Sequence, residues 1–212
     1  MGQSTSKTYQ RAPPAKPAST SISNKLALGA GCYWGTESYV RRKFQQKFPN
    51  SIKTATVGFM SPHEGPRIKD PSYRDVCSGI DTHVEVLYVE LNEPEKHFEE
   101  LIRFFFQFHD PTTPLRQGND HGFQYASWIF CGDEEQSAIA SRVRDELQDL
   151  IDATVVTAFS QKNISTRITP LRHFTAAQQD HQQYLEKNPA GYCNHRIRFK
   201  EWPILPVPSV QA

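Results

Sequence analysis

The sequence predicts an α+β fold, a two-layer sandwich in which helices cover one face of a mostly antiparallel sheet. Two observations lead to this prediction. Short segments rich in β-branched residues are separated by longer segments with helical periodicity, and their order is β-α-β-β-α-β followed by another helix. That order is the split β-α-β, or ferredoxin-like, arrangement. A C-terminal helix and an irregular tail complete the predicted chain.

Each element follows from a local pattern. The four predicted strands share alternating or clustered apolar residues, and they cover residues 25–30, 52–59, 84–91 and 125–130. After the first strand, Val40, Phe44 and Phe48 recur every four residues, which predicts the buried face of a helix. Pro94, a residue tolerated in a first helical turn, begins a second helix, and Asp133 is placed to cap a third.

The chain has 212 residues, enough for one domain with tails and without a disulfide framework. Residues 1–24 are rich in Ser, Thr, Pro and Lys and contain no acid, which predicts a disordered basic arm. We expect a single domain over residues 25–200 and a proline-rich tail over residues 201–212. A last helical pattern covers residues 175–187, and Cys193 follows it on a Gly- and Pro-containing segment that we expect to be free to move.

Charge, cysteine spacing and hydropathy limit the kinds of partner and cell compartment that we expect for this chain. The formal net charge is +1, so the chain has no field of one sign that would recruit nucleic acid. The cysteines are widely spaced and form no Cys-x-x-Cys pair, which favours a cytoplasmic protein with reactive thiols; they are Cys32, Cys77, Cys131 and Cys193. No segment is apolar and long enough to cross a bilayer, and we expect a monomer.

The first six residues match an acylation pattern. Gly2 is followed by Ser6 at the spacing typical of N-myristoylation, and an unmodified start is the alternative. One myristoyl chain gives only weak membrane binding, so the pattern predicts at most partial membrane contact.

Cys32 is the most informative residue of the chain. It lies between Gly31 and a helical pattern, and unpaired N–H groups at a helix start favour a negative charge. We therefore expect its pKa to fall below the free-thiol value of about 8.5. Tyr33 and Trp34 follow directly and would form an apolar wall beside the sulfur. The pattern indicates a nucleophilic thiol acting on a polar centre that carries an apolar group.

Other polar residues gather in irregular segments. Residues 61–82 and 109–124 are rich in Pro, Gly and Asp, and long loops inside a compact domain are usually functional. They contain Tyr73 and Asp120. Glu85 lies in a predicted strand, and burial there would raise its pKa and keep a proton available.

These residues name a family. Residues 31–37, Gly-Cys-Tyr-Trp-Gly-Thr-Glu, resemble the Gly-Cys-Phe-Trp-Gly-x-Glu signature of the A-type peptide methionine sulfoxide reductases. Segments at residues 73–79, 83–85, 109–125 and 181–193 resemble later blocks of that family in the same order. Tyr33 departs from the signature, since it keeps the ring of the usual Phe and adds a hydroxyl.

The resemblance implies an oxidoreductase that reduces the S epimer of methionine sulfoxide to methionine, free or in proteins, and so repairs oxidative damage. Cys32 would attack and become a sulfenic acid, Glu85 would supply a proton, and Cys193 would then form a disulfide with Cys32. We expect further side chains to hold the sulfoxide oxygen or the methyl group; these are Tyr33, Trp34, Tyr73, Asp120 and Tyr125.

The resemblance also implies thioredoxin as the reductant of that disulfide, supplied with electrons from NADPH by a separate reductase. No glycine-rich phosphate loop is present, and the histidines and cysteines lack metal-ligand spacing, so we expect no bound cofactor or metal.

Two other functions stay open at this point. A peroxidase or a Cys-His hydrolase could use Cys32 as its nucleophile, and a hydrolase would need His121 or His181 as a base. A module that binds oxidised methionine without turnover is a second alternative. For Cys77 and Cys131 we expect inert packing, since cysteine is among the most buried residue types, and a part for either of them in recycling is the alternative.

Overall fold

The computed structural model describes residues 21–79 and 82–204. Gly2, the arm before residue 21 and the tail after residue 204 lie outside the described residues. The elements in chain order are β1 (Lys25–Ala30), α1 (Tyr33–Ser38), a π-helical turn (Tyr39–Phe44), α2 (Gln45–Lys47), β2 (Ile52–Met60), α3 (Tyr73–Ser78), β3 (Val84–Leu91), α4 (Pro94–Phe108), β4 (Arg116–Gln117), β5 (Asp120–His121), a 3-10 turn (Phe123–Tyr125), β6 (Ser127–Cys131), α5 (Glu134–Asp152), β7 (Arg167–Pro170), β8 (Phe174–Ala176) and α6 (Tyr184–Lys187).

One mixed sheet forms the centre of the domain, in the order β7-β6-β1-β3-β2-β8. Its four central strands are the four predicted ones, they are antiparallel, and their order is that of the split β-α-β arrangement. The predicted fold class is therefore confirmed. The edge strands β7, parallel to β6, and β8 were not predicted, because they have only four and three residues and are only partly buried.

The helices cover one face of the sheet with a large apolar core. Phe98, Leu101 and Phe105 on α4 are fully buried, as their spacing predicts. Asp133 caps α5 by accepting the N–H of Gln136 at 2.7 Å. The opposite face of the sheet has a smaller apolar cluster, covered by loop side chains rather than by helices. None of the helices in the described parts of the chain is long and apolar enough to cross a membrane.

The predicted helix over residues 175–187 is wrong for most of its length. Thr175 pairs with Phe59 in β8, and only Tyr184–Lys187 is helical. Two contacts draw the backbone between them out of a helix. The side-chain amide of Gln182 bonds both the N–H and the C=O of Val57, each at 2.9 Å, and Gln183 has a φ of 54°.

The folded domain is wider than residues 25–200. Ile22 is buried, and the carbonyl of Ser23 accepts the side-chain amide of Gln136 at 2.6 Å. At the other end, the indole N–H of Trp202 donates to Glu146 at 2.8 Å. The expected limits were wrong by a few residues because single anchoring contacts do not alter the local composition.

Trp202 also lies 4.7 Å from the guanidinium of Arg103, measured to the ring centre. We expect Trp202→Ala to lower the free energy of unfolding by about 2 kcal/mol, less than a fully buried Trp because the ring is partly exposed. Urea unfolding measures the change. Trp202→Phe keeps a ring and should cost about 1 kcal/mol. An unchanged midpoint for Trp202→Ala would show that the segment does not stabilise the domain.

Candidate active site

A cavity of about 190 Å³ brings together side chains from six separate segments of the chain. Its lining residues are Cys32, Tyr33, Trp34, Tyr73, Glu85, Asp120, Tyr125 and Tyr192. Seven of these eight were expected from the sequence to form the site, and Tyr192 was missed. Cys193 does not line the cavity but follows Tyr192 directly.

Cys32 lies between β1 and α1 and is only 8% exposed. Burial, and next the Glu85 carboxyl, raise the pKa of Cys32 more than the N–H groups of Trp34 and Gly35 lower it. The expectation of a lowered pKa is therefore wrong for the free protein, in which Cys32 is a protonated thiol. The helix start acts in the expected direction, but burial outweighs it.

Glu85 projects from β3 beside Cys32 and is 2% exposed. Burial raises its pKa to about 8, although the N–H of Tyr33 donates to its Oε2 at 3.1 Å and partly opposes that rise. The expected rise in pKa is confirmed. Glu85 is therefore mainly protonated at neutral pH and can donate a proton inside the cavity.

Two phenols complete the polar side of the cavity. Tyr73 begins α3, whose first turn is capped by Ser72, and Tyr125 ends the 3-10 turn before β6. Burial raises the pKa of both phenols above their usual value. Both hydroxyls therefore keep their protons and can donate to an oxygen atom in the cavity.

The aromatic side of the cavity is supported by Tyr184, which begins α6, and by His181 just before this helix. The Trp34 ring stacks on Tyr184 with centres 3.8 Å apart, and the Tyr33 hydroxyl is 2.7 Å from Nδ1 of His181. Sequence reasoning considered His181 only as a metal ligand or a base, and it missed Tyr184. The resemblance of residues 181–193 to a family block was the available signal.

Asp120 binds the segment that carries the second thiol. It accepts the Tyr192 hydroxyl at 3.1 Å and the Asn194 amide at 2.6 Å, so both neighbours of Cys193 are held. Cys193 itself is exposed, and both it and Cys32 are free thiols. The sequence predicted a segment free to move and did not reveal these contacts with Asp120.

The remaining cysteines and histidines differ in their surroundings. Cys131 is buried in the core, as expected for inert packing, whereas Cys77 is exposed. Neither His121 nor His181 lines the cavity, and His181 instead contacts the Tyr33 hydroxyl behind the aromatic wall. Within residues 21–79 and 82–204, no three potential ligand side chains are grouped to hold a metal ion.

A buried thiol, a protonated carboxyl and two phenols share one cavity, and a second thiol is held close to it. This arrangement defines a thiol oxidoreductase. Cys32 follows the end of β1 and Glu85 lies at the start of β3, so the antiparallel pairing of these two strands brings the thiol and the carboxyl together.

Comparison with known proteins identifies the family. The family model for peptide methionine sulfoxide reductase matches residues 24–205, and on this match the chain belongs to that family. The probable peptide methionine sulfoxide reductase of Schizosaccharomyces pombe is 39% identical over 174 residues, covering 81% of this chain and 95% of the relative. The MsrA enzyme of Azotobacter vinelandii is 37% identical over 185 residues, covering 87% and 79%.

Solved structures agree in fold. Mxr1 from Saccharomyces cerevisiae in its reduced form has a TM-score of 0.70 and 32% identity, covering 84% of this chain and 93% of that chain. Mxr1 in complex with Trx2 has a TM-score of 0.50 at 20% identity, covering 88% and 97%, and is similar in fold.

The raised pKa of Glu85 has a consequence for stability. The folded pKa of about 8 exceeds the unfolded value of about 4.3, so the folded form holds the proton more tightly. The associated stability is complete below the unfolded pKa and is lost as pH rises through about 8. Glu85→Gln does not lose stability in this way, because its amide does not titrate. We expect its stability relative to the unchanged protein to rise from pH 5 to pH 8.5.

Urea unfolding at several pH values measures the difference, and subtraction cancels other groups that titrate in both proteins. Glu90→Gln is the matched control, since Glu90 is a more exposed acid on the same strand. A difference for Glu85→Gln that stays constant with pH would contradict the burial of a protonated carboxyl.

Proposed function

We propose that this protein reduces the S epimer of methionine sulfoxide, free or in proteins, and so repairs oxidised proteins. The observation that supports this most is the position of Cys32 and protonated Glu85 in one cavity with an aromatic wall. A cavity of about 190 Å³ has room for one side chain but not for a folded segment. Oxidised methionine therefore enters as a side chain.

The first step is an attack by sulfur on sulfur. Cys32 Sγ bonds to the sulfoxide sulfur as Glu85 protonates the oxygen, and the thiol proton passes to the Glu85 carboxylate. The S–O bond of the substrate and the new S–S bond then break as the hydroxyl moves to Cys32, which leaves methionine and a Cys32 sulfenic acid. Because Glu85 ends the step protonated, no carboxylate charge remains beside the Cys32 sulfur. Tyr73 and Tyr125 donate to the oxygen as charge develops on it.

The same cavity favours one configuration at sulfur. The phenols and Glu85 supply donors for the oxygen, whereas Tyr33 and Trp34 supply an apolar surface for the methyl group. Oxygen and methyl therefore have separate places, and exchanging them would put the methyl against polar donors. This asymmetry supports selectivity for one epimer, which the family assigns as S.

The second step forms a disulfide. The Cys193 thiol attacks the sulfur of the sulfenic acid, so that Cys32 and Cys193 become joined and water is released. The hold of Asp120 on both neighbours of Cys193 supports this role, since it keeps the second thiol close to the cavity.

Thioredoxin then reduces the disulfide by thiol exchange, with electrons from NADPH delivered through a separate reductase. Two observations support this part. Cys193 is exposed and open to a partner thiol, and the yeast protein Mxr1, similar in fold, forms a complex with Trx2. We also propose that the enzyme is cytoplasmic, as its widely spaced cysteines favour, and that it is a monomer.

The two thiols should separate kinetically. We expect Cys193→Ser to release about one equivalent of methionine in a burst and then stop when thioredoxin is the reductant, because the sulfenic acid lacks its internal partner. Cys32→Ser should release none. Rapid quench with chromatography of methionine measures the burst for S and R substrates separately.

The matched control is Cys131→Ala, which changes a thiol in the core that does not line the cavity and that the proposed cycle does not use, and it should turn over normally. The absence of a burst in Cys193→Ser, or equal rates with S and R epimers, would reject the proposed cycle.

We also propose that Gly2 carries a myristoyl group that gives partial membrane contact, on the sequence pattern alone. Intact-mass measurement of protein from its native cell should show the acyl group and Gly2→Ala should lack it. An unmodified native mass would reject this proposal.

A further inference from the structure

His195 lies two residues after Cys193 and is buried beneath it. Its Nε2 is 2.7 Å from the carbonyl oxygen of Ala30, which can only accept a hydrogen bond, so Nε2 carries the proton. Burial lowers the pKa of His195 to about 4, so the ring is neutral at physiological pH. Nδ1 therefore presents an unprotonated lone pair.

That lone pair faces the second thiol. Sγ of Cys193 lies 4.0 Å from Nδ1 of His195, within reach of a weak S–H hydrogen bond. The backbone around the imidazole is also held. The Tyr39 hydroxyl donates to the His195 carbonyl at 3.2 Å, and the N–H of Arg196 donates to Phe108 at 3.2 Å. The acceptor therefore has a defined position under the thiol.

The same imidazole explains a glycine in the first signature. A Cβ at Gly35 would lie 2.1 Å from Nδ1 of His195, closer than real contacts allow. Gly35 has no positive φ, so close approach rather than backbone conformation requires a glycine here. The ring therefore packs directly against α1, the helix that begins immediately after Cys32.

The bond between His195 and Ala30 ties the two reactive segments together. Ala30 precedes Cys32 by two residues and His195 follows Cys193 by two. Two residues span at most about 7 Å, so each thiol stays close to this bond. A disulfide needs Cα atoms roughly 4.4 to 6.8 Å apart. The hydrogen bond between His195 and Ala30 favours this approach, because it keeps the two cysteine segments near each other.

We propose that His195 is a positioning residue for the recycling step: it binds the Cys193 thiol through Nδ1 and holds its segment to Ala30, aiming Sγ at the Cys32 sulfenic acid. The inference rests on the proposed function. In the step, the Sγ–Sγ bond forms, the S–O bond of the sulfenic acid breaks, and the thiol proton leaves with the hydroxide as water. The imidazole ends the step unchanged and neutral.

The test separates the two chemical steps in the full protein. Reduced enzyme is mixed with excess substrate peptide without thioredoxin. Methionine release reports the first step, and mass spectrometry after acid quench reports the Cys32–Cys193 disulfide. We expect His195→Phe to keep the burst of methionine and to form the disulfide about ten- to a hundred-fold more slowly, because orientation is lost.

A second measurement distinguishes a loss of Cys193 orientation from a general loss of structure. A small external thiol added during the reaction competes with Cys193 for the sulfenic acid. The unchanged enzyme should give mainly internal disulfide, whereas His195→Phe should give mainly the adduct of Cys32 with the external thiol. A variant that is merely unfolded would lose the burst itself.

His195→Gln provides an independent variant if His195→Phe does not fold. Its amide can still donate to the Ala30 carbonyl but offers no lone pair at the Nδ1 position, so we expect the same selective slowing. Tyr39→Phe is the matched control, since it removes one bond to the segment and leaves the imidazole in place. We expect it to form the disulfide at the unchanged rate.

Wild-type disulfide rates in His195→Phe or in folded His195→Gln, with the burst intact, would overturn the inference. Equal slowing of disulfide formation in Tyr39→Phe and His195→Phe would also overturn the inference, since the imidazole would then have no role beyond that of any other contact that holds the segment. Failure of the proposed function is a different result, because the unchanged enzyme would then show no burst.

Discussion

The hydrogen bond from the Tyr33 N–H to the buried Glu85 carboxyl connects the start of α1 to the central strand β3. It places Cys32 and Glu85 in the same cavity, where both side chains are almost fully buried and their charged forms are poorly solvated. Because desolvation penalises both ionised forms, the resting site contains two neutral acids. A substrate that accepts a proton and a sulfur attack together uses both groups without leaving an unpaired charge.

The rest of the site arranges surfaces around that pair. One wall is aromatic, since Trp34 stacks on Tyr184 and Tyr33 is bonded to His181. The other wall offers phenol donors, which burial keeps protonated. Such preorganised donors stabilise developing charge without reorganising, so their positions rather than their number matter. Gln182 and its contacts to Val57 place the residues that support the aromatic wall.

Asp120 and Ala30 bind the segment that carries the second thiol, Cys193, and so hold this segment beside the active-site cavity. Asp120 binds the residues on both sides of Cys193, and the Ala30 carbonyl binds the imidazole of His195. These contacts hold the segment while its thiol stays exposed. This arrangement suits a cycle in which one thiol reacts inside a cavity and the other transfers electrons to a partner.

The sequence predicted the four central strands and seven of the cavity residues, because strand and helix periodicities are local and the family blocks occur in order. It did not predict β7 and β8, which are too short for a pattern. It predicted a helix over residues 175–187, where the Gln182 contacts with a distant strand override local propensity.

By itself, then, the sequence predicted the fold class, the family and seven of the eight side chains that line the cavity. Only the tertiary structure decided that Cys32 is protonated at rest and that the Cys193 segment is held, with Gly35 making room for His195. The physical reason is that burial, and the pKa it sets, depend on neighbours far apart in the chain, whereas sequence patterns report only on residues that are close along it.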